Sequence, residues 1–270
     1  MLISVIIPTY KPKAGYLGEC LDSLFKQTLN HADFEVIIIL NGCNEPYREM
    51  VDEVLGRFDG SIRVRIIQTD VAGQSNARNI GLESSDSPYV CFVDYDDILS
   101  DSYLERLLSV VSDGSVIQSN VIAFDDESGK QLPDYIGSYF NKLHGDSPLS
   151  RMKGIHFMSN VASKLIPRSV ISDNRFIQVE LGEDCLFMAT VSNRIKRVVL
   201  SHDDAIYYRR VHRNSLVNTN RTLFELFKNR CRLTGLYLKT YFSGLFKYNP
   251  LLFFHRIVAV WKGFFKSIFF

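Results

Sequence analysis

The sequence predicts an α/β fold, a mostly parallel sheet flanked by helices, followed by a C-terminal helical extension. Three observations carry this. Short runs rich in Val and Ile recur through the first half as "ISVIIPTY", "FEVIIIL", "IRVRIIQT" and "YVCFVDY". Segments with helical spacing of apolar residues lie between them. From about Arg221 the pattern stays helical while the composition turns basic and aromatic. Strands alternating with helices of this length form βαβ units, and such units build parallel sheets.

The elements follow in order. The near-continuous apolar character of "EVIIIL" suits a strand covered on both faces. Leu17, Cys20, Leu21, Leu24 and Phe25 mark the first helix, Met50, Val51, Val54, Leu55 and Phe58 the second, and Ala77, Ile80 and Gly81 the third. Ligands of open parallel sheets bind beyond the carboxyl ends of the strands. That rule places "PTYK", "NGCNE", "QTDVAG" and "DYDD" on one common rim. Residues 125–150 are rich in Gly, Pro, Ser and Asp and read as a long loop or flap. "NVASKLIPRSVI" comes next, then "ELGEDCLFMATVSNRI", an acidic turn opening a helix, and then a strand-like "AIYYRRV".

Composition sets bounds on function. A chain of 270 residues that is 46% hydrophobic and 23% charged carries ample material for a core and is not disordered. The formal charge of +1 favours no nucleic-acid partner. Cys20, Cys43, Cys91, Cys185 and Cys231 are scattered, odd in number and without a CxxC. That pattern fits a reducing compartment and argues against a disulfide framework and a zinc site. The start "MLISVIIPTY" is too short and too uncharged for a signal peptide. No run reaches the roughly 18 apolar residues of a spanning helix. An intracellular protein is expected.

The acidic clusters carry the chemistry. Asp94 and Asp96 project to the same side if the strand continues through them, and Asp97 begins the turn. Carboxylates so spaced converge on a hard cation such as Mg²⁺ or Mn²⁺, which usually keeps waters and takes substrate phosphates as further ligands. A helix cap near Ser100 accounts for Asp97 alone and not for all three. In "ELGEDCLFMA", Glu183 and Asp184 sit where a turn meets a helix. A carboxylate there either removes a proton from an attacking hydroxyl or complements the helix dipole.

The ordered set "SVIIPTYK", "CLDSLFKQT", "FEVIIILNG", "AGQSNARNIGLESSDSPYVCFVDYDD" and "LGEDCLF" resembles the family 2 glycosyltransferases over about residues 2–215. The resemblance implies the GT-A fold, a Rossmann-like sandwich. It implies transfer of a sugar from a nucleotide-diphosphate donor to an acceptor hydroxyl, with inversion and a divalent metal, Mn²⁺ or Mg²⁺. Pro8, Thr9 and Tyr10 resemble the loop against the nucleoside, and Asn41 falls where relatives read uracil with an aspartate. Arg78 resembles the basic residue near the nucleotide. Asp94 and Asp96 match the DxD pair, with Asp97 beside them and Asp96 or Asp97 as the direct metal ligand. Asp184 is the general base, with Glu183 positioning acceptor or base. "YYRRVHRNS" resembles the segment closing over the donor, which makes Arg209, Arg210, His212 and Arg213 candidates for the diphosphate. "LNGC" replaces the usual "DDGS", and Lys11 stands where an Asn is customary. No QxxRW-type motif is present, so transfer of a single sugar is expected rather than a processive polymerase. The expected setting is cell-surface polysaccharide or glycolipid assembly, with a UDP-sugar donor and a glycan or lipid-linked acceptor. The alternatives are a noncatalytic nucleotide-sugar-binding subunit and a sugar-1-phosphate nucleotidyltransferase. The latter would show a Gly-rich phosphate loop that "IIPTYKPKAG" lacks.

The division expected is a transferase domain over 1–218 and a tail over 219–270. In that tail Glu225 is the one acid against Arg221, Lys228, Arg230, Arg232, Lys239, Lys247, Arg256, Lys262 and Lys266. Wound as a helix, the stretch after Pro250 puts His255, Lys262 and Lys266 on a narrow face. Phe253, Ile257, Val260, Trp261, Phe264, Phe265 and Ile268 cover the wide opposite side. This suits a helix lying in a membrane interface at the cytoplasmic face of the cell membrane. Packing on the protein or in a homodimer is the alternative.

Overall fold

The computed structural model describes residues 1–179, 181–212, 222–244 and 246–269, without the side chains of 263 and 265–269. The expected boundary at 218/219, Arg213 and Arg221, and the side chains of Phe265, Lys266 and Ile268 lie outside the described residues.

The chain runs β1 (Ile3–Thr9), α1 (Ala14–Phe25), β2 (Phe34–Asn41), α2 (Tyr47–Leu55), β3 (Arg63–Thr69), α3 (Gln74–Glu83), β4 (Tyr89–Phe92), β5 (Ile98–Leu99) and α4 (Tyr103–Ser109). It continues through β6 (Ser115–Gln118), β7 (Asn120–Asp125), β8 (Gln131–Leu132), α5 (Tyr135–Leu143), β9 (Leu149–Ser150), β10 (Lys164–Pro167), α6 (Arg168–Ile171) and α7 (Glu183–Val191). β11 (Arg197–Leu200), β12 (Ile206–Val211), α8 (Leu223–Ser243) and α9 (Pro250–Phe269) complete it.

The main sheet has the order β3-β2-β1-β4-β10-β6-β11-β9. Its first four strands are parallel, with Ile6 beside Ile37 and Phe92, and Asn41 beside Thr69. Their carboxyl ends therefore share one edge, as the sequence predicted. β10 enters antiparallel between β4 and β6. A second sheet, β5-β12-β7-β8, brings Arg210 and its neighbours up to the Asp94–Asp97 loop.

Every residue of β2 is buried, which is why its apolar run is unbroken. Each Ile or Val so buried contributes about 1.5–3 kcal/mol relative to exposure. α3 lies close on β1 because Gly81 has no side chain: a Cβ there would stand 2.3 Å from Ile6 Cγ2. That approach fixes where the first turn of α3 sits above the rim.

Two segments differ from the sequence reading. Residues 125–150 hold β8 and α5 rather than a structureless flap. The Asp134 carboxylate caps α5 by accepting from the Ile136 and Gly137 N–H groups at 2.7 and 3.0 Å. The tail is a two-helix hairpin. Leu233 and Tyr237 of α8 join Leu252 and Phe253 of α9 against Ile155, Leu186 and Ala189, in a small core of their own. Ile257 and Val260 pack at its edge. Most of the face expected to meet a membrane is thus covered, because α8 supplies the apolar partner that α9 read alone lacks. The one acid of this region, Glu225, closes a reciprocal capping box with Thr222 at the start of α8.

Candidate active site

Arg78 organises the rim. It lies one turn into α3, its side chain only 2% exposed, with its guanidinium carbon 5.4 Å from the Phe176 ring centroid. It donates to Asp184 and, at 3.1 Å, to Glu183, and its second terminal nitrogen lies 3.7 Å from Asp94. The Gln74 amide, four residues earlier on the same helix face, lies among Asp94, Arg78 and Glu183.

Glu183 and Asp184 form the first turn of α7, which starts at Gly182 in the left-handed conformation, φ 89°. Both carboxylates lie at the positive end of the helix dipole. Asp184 also accepts from the Val161 N–H at 3.4 Å. Desolvation raises the Glu183 carboxyl above its ordinary value; the Asp184 charge adds to the rise and Arg78 opposes it.

The aspartate loop differs from a continued strand. β4 ends at Phe92, and Asp97 N–H donates to Asp94 O at 3.1 Å, closing a turn. Asp94 stays at the rim with its side chain 36% exposed. Desolvation pushes its carboxyl up to about 6, with Arg78 opposing and Asp96 adding. Asp96 Oδ2 lies 3.1 Å from His212 Nε2. Asp97 is buried, 4% exposed, and its carboxylate accepts from the Arg210 N–H at 2.7 Å, while the Tyr207 hydroxyl of the same strand accepts from the Asp94 N–H at 3.1 Å. Asp97 therefore ties the loop to β12, and the carboxylates left facing the rim are Asp94 and Asp96.

The other expected site residues divide. Tyr10 is exposed at the rim, whereas the side chains of Pro8 and Thr9 are buried in β1. Asn41 is 3% exposed. Its Nδ2 donates to Thr9 O at 2.9 Å and its Oδ1 accepts from the Gly73 N–H at 2.8 Å. It clips the loops after β1, β2 and β3 together. Period-two alternation on β12 separates the two arginines. Arg209 points to the Asp134 carboxylate, 2.8 Å away at the start of α5, and is not brought to the rim. Arg210 reaches Asp126 at 2.7 Å, Glu19, and the Asp96 carbonyl at 2.8 Å, and lies over the Tyr16 ring.

Sequence reasoning missed Gln74, Tyr16, Glu19 and Lys164. Gln74 was legible as the i, i+4 neighbour of Arg78. Lys164 is fully buried, bonded to Asn160 Oδ1, and desolvation lowers its ammonium to about 7 against the pull of Asp184. A buried lysine inside a four-residue strand leaves no pattern to find. A cavity of about 340 Å³ lies at the opposite edge of the sheet, between Glu35, Arg63, Arg65 and Ser87, away from all of these groups.

Among the described residues, no three His, Cys, Asp or Glu side chains form a ready-made cation cage. The donor set at the rim is nonetheless hard oxygen, with Asp94, Glu183 and Asp184 gathered about one buried guanidinium and Asp96 in the same loop as Asp94. Such a set fits Mg²⁺ or Mn²⁺ bound by one or two carboxylates and completed by substrate phosphate.

A mostly parallel α/β sheet with an aspartate loop and an acidic helix start on one rim is the GT-A architecture. The sequence model of glycosyl transferase family 2 matches residues 4–171, and the chain belongs to that family. Glycosyltransferase GlyA of Streptococcus pneumoniae is 28% identical over 79% of the chain, which spans only 31% of GlyA. The Staphylococcus aureus TarS 1–349 structure in complex with UDP-GlcNAc superposes with a TM-score of 0.70 at 20% identity, covering 88% of this chain and 67% of that one. The mannosyltransferase PcManGT from Pyrobaculum calidifontis, in complex with GDP-Man and Mn²⁺, gives 0.64 at 14% identity, over 96% and 68%.

Proposed function

We propose that the protein transfers one sugar, with inversion, from a UDP-sugar to a hydroxyl of a glycan or lipid-linked acceptor at the cytoplasmic face of a membrane, in cell-surface polysaccharide or glycolipid assembly. The observation that carries this reading is Arg78 joining Asp184 to Asp94. One buried guanidinium holds the candidate base at a fixed offset from the candidate diphosphate site. UDP-GlcNAc in TarS and Mn²⁺ with GDP-Man in PcManGT support the donor class and the metal.

Asp94 and Asp96 would hold Mn²⁺ or Mg²⁺, which when bound offsets the charge developing on the departing diphosphate. His212, beside Asp96, and Tyr10, exposed at the end of β1, border the donor. Asp184 takes the proton of the acceptor hydroxyl as that oxygen attacks the anomeric carbon from the face opposite the diphosphate. The new C–O bond forms as the bond to the diphosphate breaks, and its electron pair leaves with the nucleotide. Glu183, beside Asp184 in the first turn of α7, orients the acceptor.

The test is a thermal-shift panel of nucleotide sugars with and without Mn²⁺, followed by transfer assays. A UDP-sugar should raise the midpoint in wild type with Mn²⁺ present and fail to do so in Asp96→Asn. A donor response in Asp96→Asn, or in metal-free wild type, equal to that of wild type with Mn²⁺ overturns the metal assignment.

A further inference from the structure

The hairpin of α8 and α9 buries one side of each helix on the body, through Leu233 and Tyr237 and through Leu252, Phe253 and Arg256. The opposite sides are also apolar. On α8, Leu238 and Phe242 stand one turn apart and are exposed; on α9, Leu251, Phe254 and Val258 form a stripe at i, i+3 and i+7. Phe246, in the turn between the helices, is 95% exposed with a positive φ of 69°. Each stripe lies opposite the face its helix packs on the body, and Phe246 stands exposed in the turn that joins the two helices. So many large exposed apolar side chains on one hairpin mark an interaction site rather than scattered exposure.

The charge around this surface says what covers it. Between Thr222 and Lys262 the chain has Lys228, Arg230, Arg232, Lys239, Lys247, Arg256 and Lys262 against Glu225, whose carboxylate is engaged in the α8 cap. Arg256 is buried, and Lys228, Arg232, Lys239, Lys247 and Lys262 are exposed. A two-fold dimer would set this patch against itself and oppose lysine to lysine. A bilayer with anionic headgroups complements both properties at once, apolar side chains entering the headgroup boundary and lysines reaching phosphate.

We infer that the outer face of the α8–α9 hairpin, led by Phe242, Phe246 and Phe254 and flanked by Lys239 and Lys247, docks the enzyme on an anionic lipid surface. This is a different face from the one the α9 sequence presents when wound alone. It deepens the proposed lipid-linked acceptor, and vesicle binding reads it without any transfer reaction, so either reading can fail alone.

The experiment is co-flotation of the full chain with vesicles of phosphatidylcholine, with or without phosphatidylglycerol. Wild type should float with the phosphatidylglycerol vesicles and release as salt rises. The triple variant Phe242→Ser/Phe246→Ser/Phe254→Ser should lose binding at least about tenfold while keeping the wild-type melting midpoint, since all three side chains are exposed. Lys239→Gln/Lys247→Gln should lose about fivefold per lysine on anionic vesicles alone. Absence of flotation, flotation untouched by the triple variant, or a wild-type dimer that the triple variant makes monomeric without vesicle binding would each overturn the inference.

Discussion

Arg78 and Asp184 stand 106 residues apart in the chain, and a guanidinium N–H of the first donates to the carboxylate of the second. The same guanidinium serves Glu183 and faces Asp94, so three acidic groups share one buried cation. Removing one partner of a buried charge cluster leaves the others uncompensated. Arg78→Met should lower stability by about 3 kcal/mol in urea titration. It should also abolish transfer even at temperatures where the variant stays folded.

Asp184→Asn keeps the shape of the side chain and its place in the first turn of α7 while removing the proton acceptor. Transfer should fall by about 10²–10⁴-fold in kcat, with donor binding by thermal shift little changed. A variant that retains full kcat would move the base to Glu183.

Asn41 is the position at which the family resemblance implies an aspartate. An aspartate here would set a carboxylate oxygen against the Thr9 carbonyl in place of a donor, at a site only 3% exposed. Asn41→Asp should therefore destabilise by about 1–3 kcal/mol rather than improve recognition of the donor base. Chemical denaturation with and without UDP separates the two outcomes.

Lys164 gives a pH signature. Its folded value, lowered to about 7, lies below the ordinary lysine value, so the unfolded chain binds the extra proton between the two. Stability rises with pH wherever the unfolded state holds more protons. The penalty of burying Lys164 is thus full below about pH 7 and fades toward about pH 10. Lys164→Met should be most favourable relative to wild type near pH 6, and wild type should gain on it as pH rises, read as the difference in melting midpoints.

How far these features could be read in advance depended on where each residue's partner lay. The parallel strands were legible because a strand covered on both faces carries a near-continuous apolar run, as Val36 to Leu40 do in β2. α5 was hidden because Tyr135, Ile136, Tyr139, Phe140 and Leu143 keep helical spacing inside a stretch otherwise rich in Gly, Ser and Pro. The two arginines of β12 read as equivalent, and only pairing with β7 decides which one meets the Asp96 loop. The meeting of Glu183 and Asp184 with Asp94 came from resemblance alone, since nothing local in either segment names the other. The outward face of α9 was misassigned because an amphipathic helix shows that it has a partner and not which one.

Arg256 reaches from α9 into the body and donates to the Ile155 carbonyl, in the segment that leads to Val161 and so to the backbone N–H on Asp184. The C-terminal hairpin is in this sense a buttress for the catalytic helix. Cutting it away would strip cover from Leu186 and Ala189 and slacken the support of the base, so a truncated enzyme would lose membrane contact and turnover together. Point changes on the outer face are what separate anchoring from catalysis.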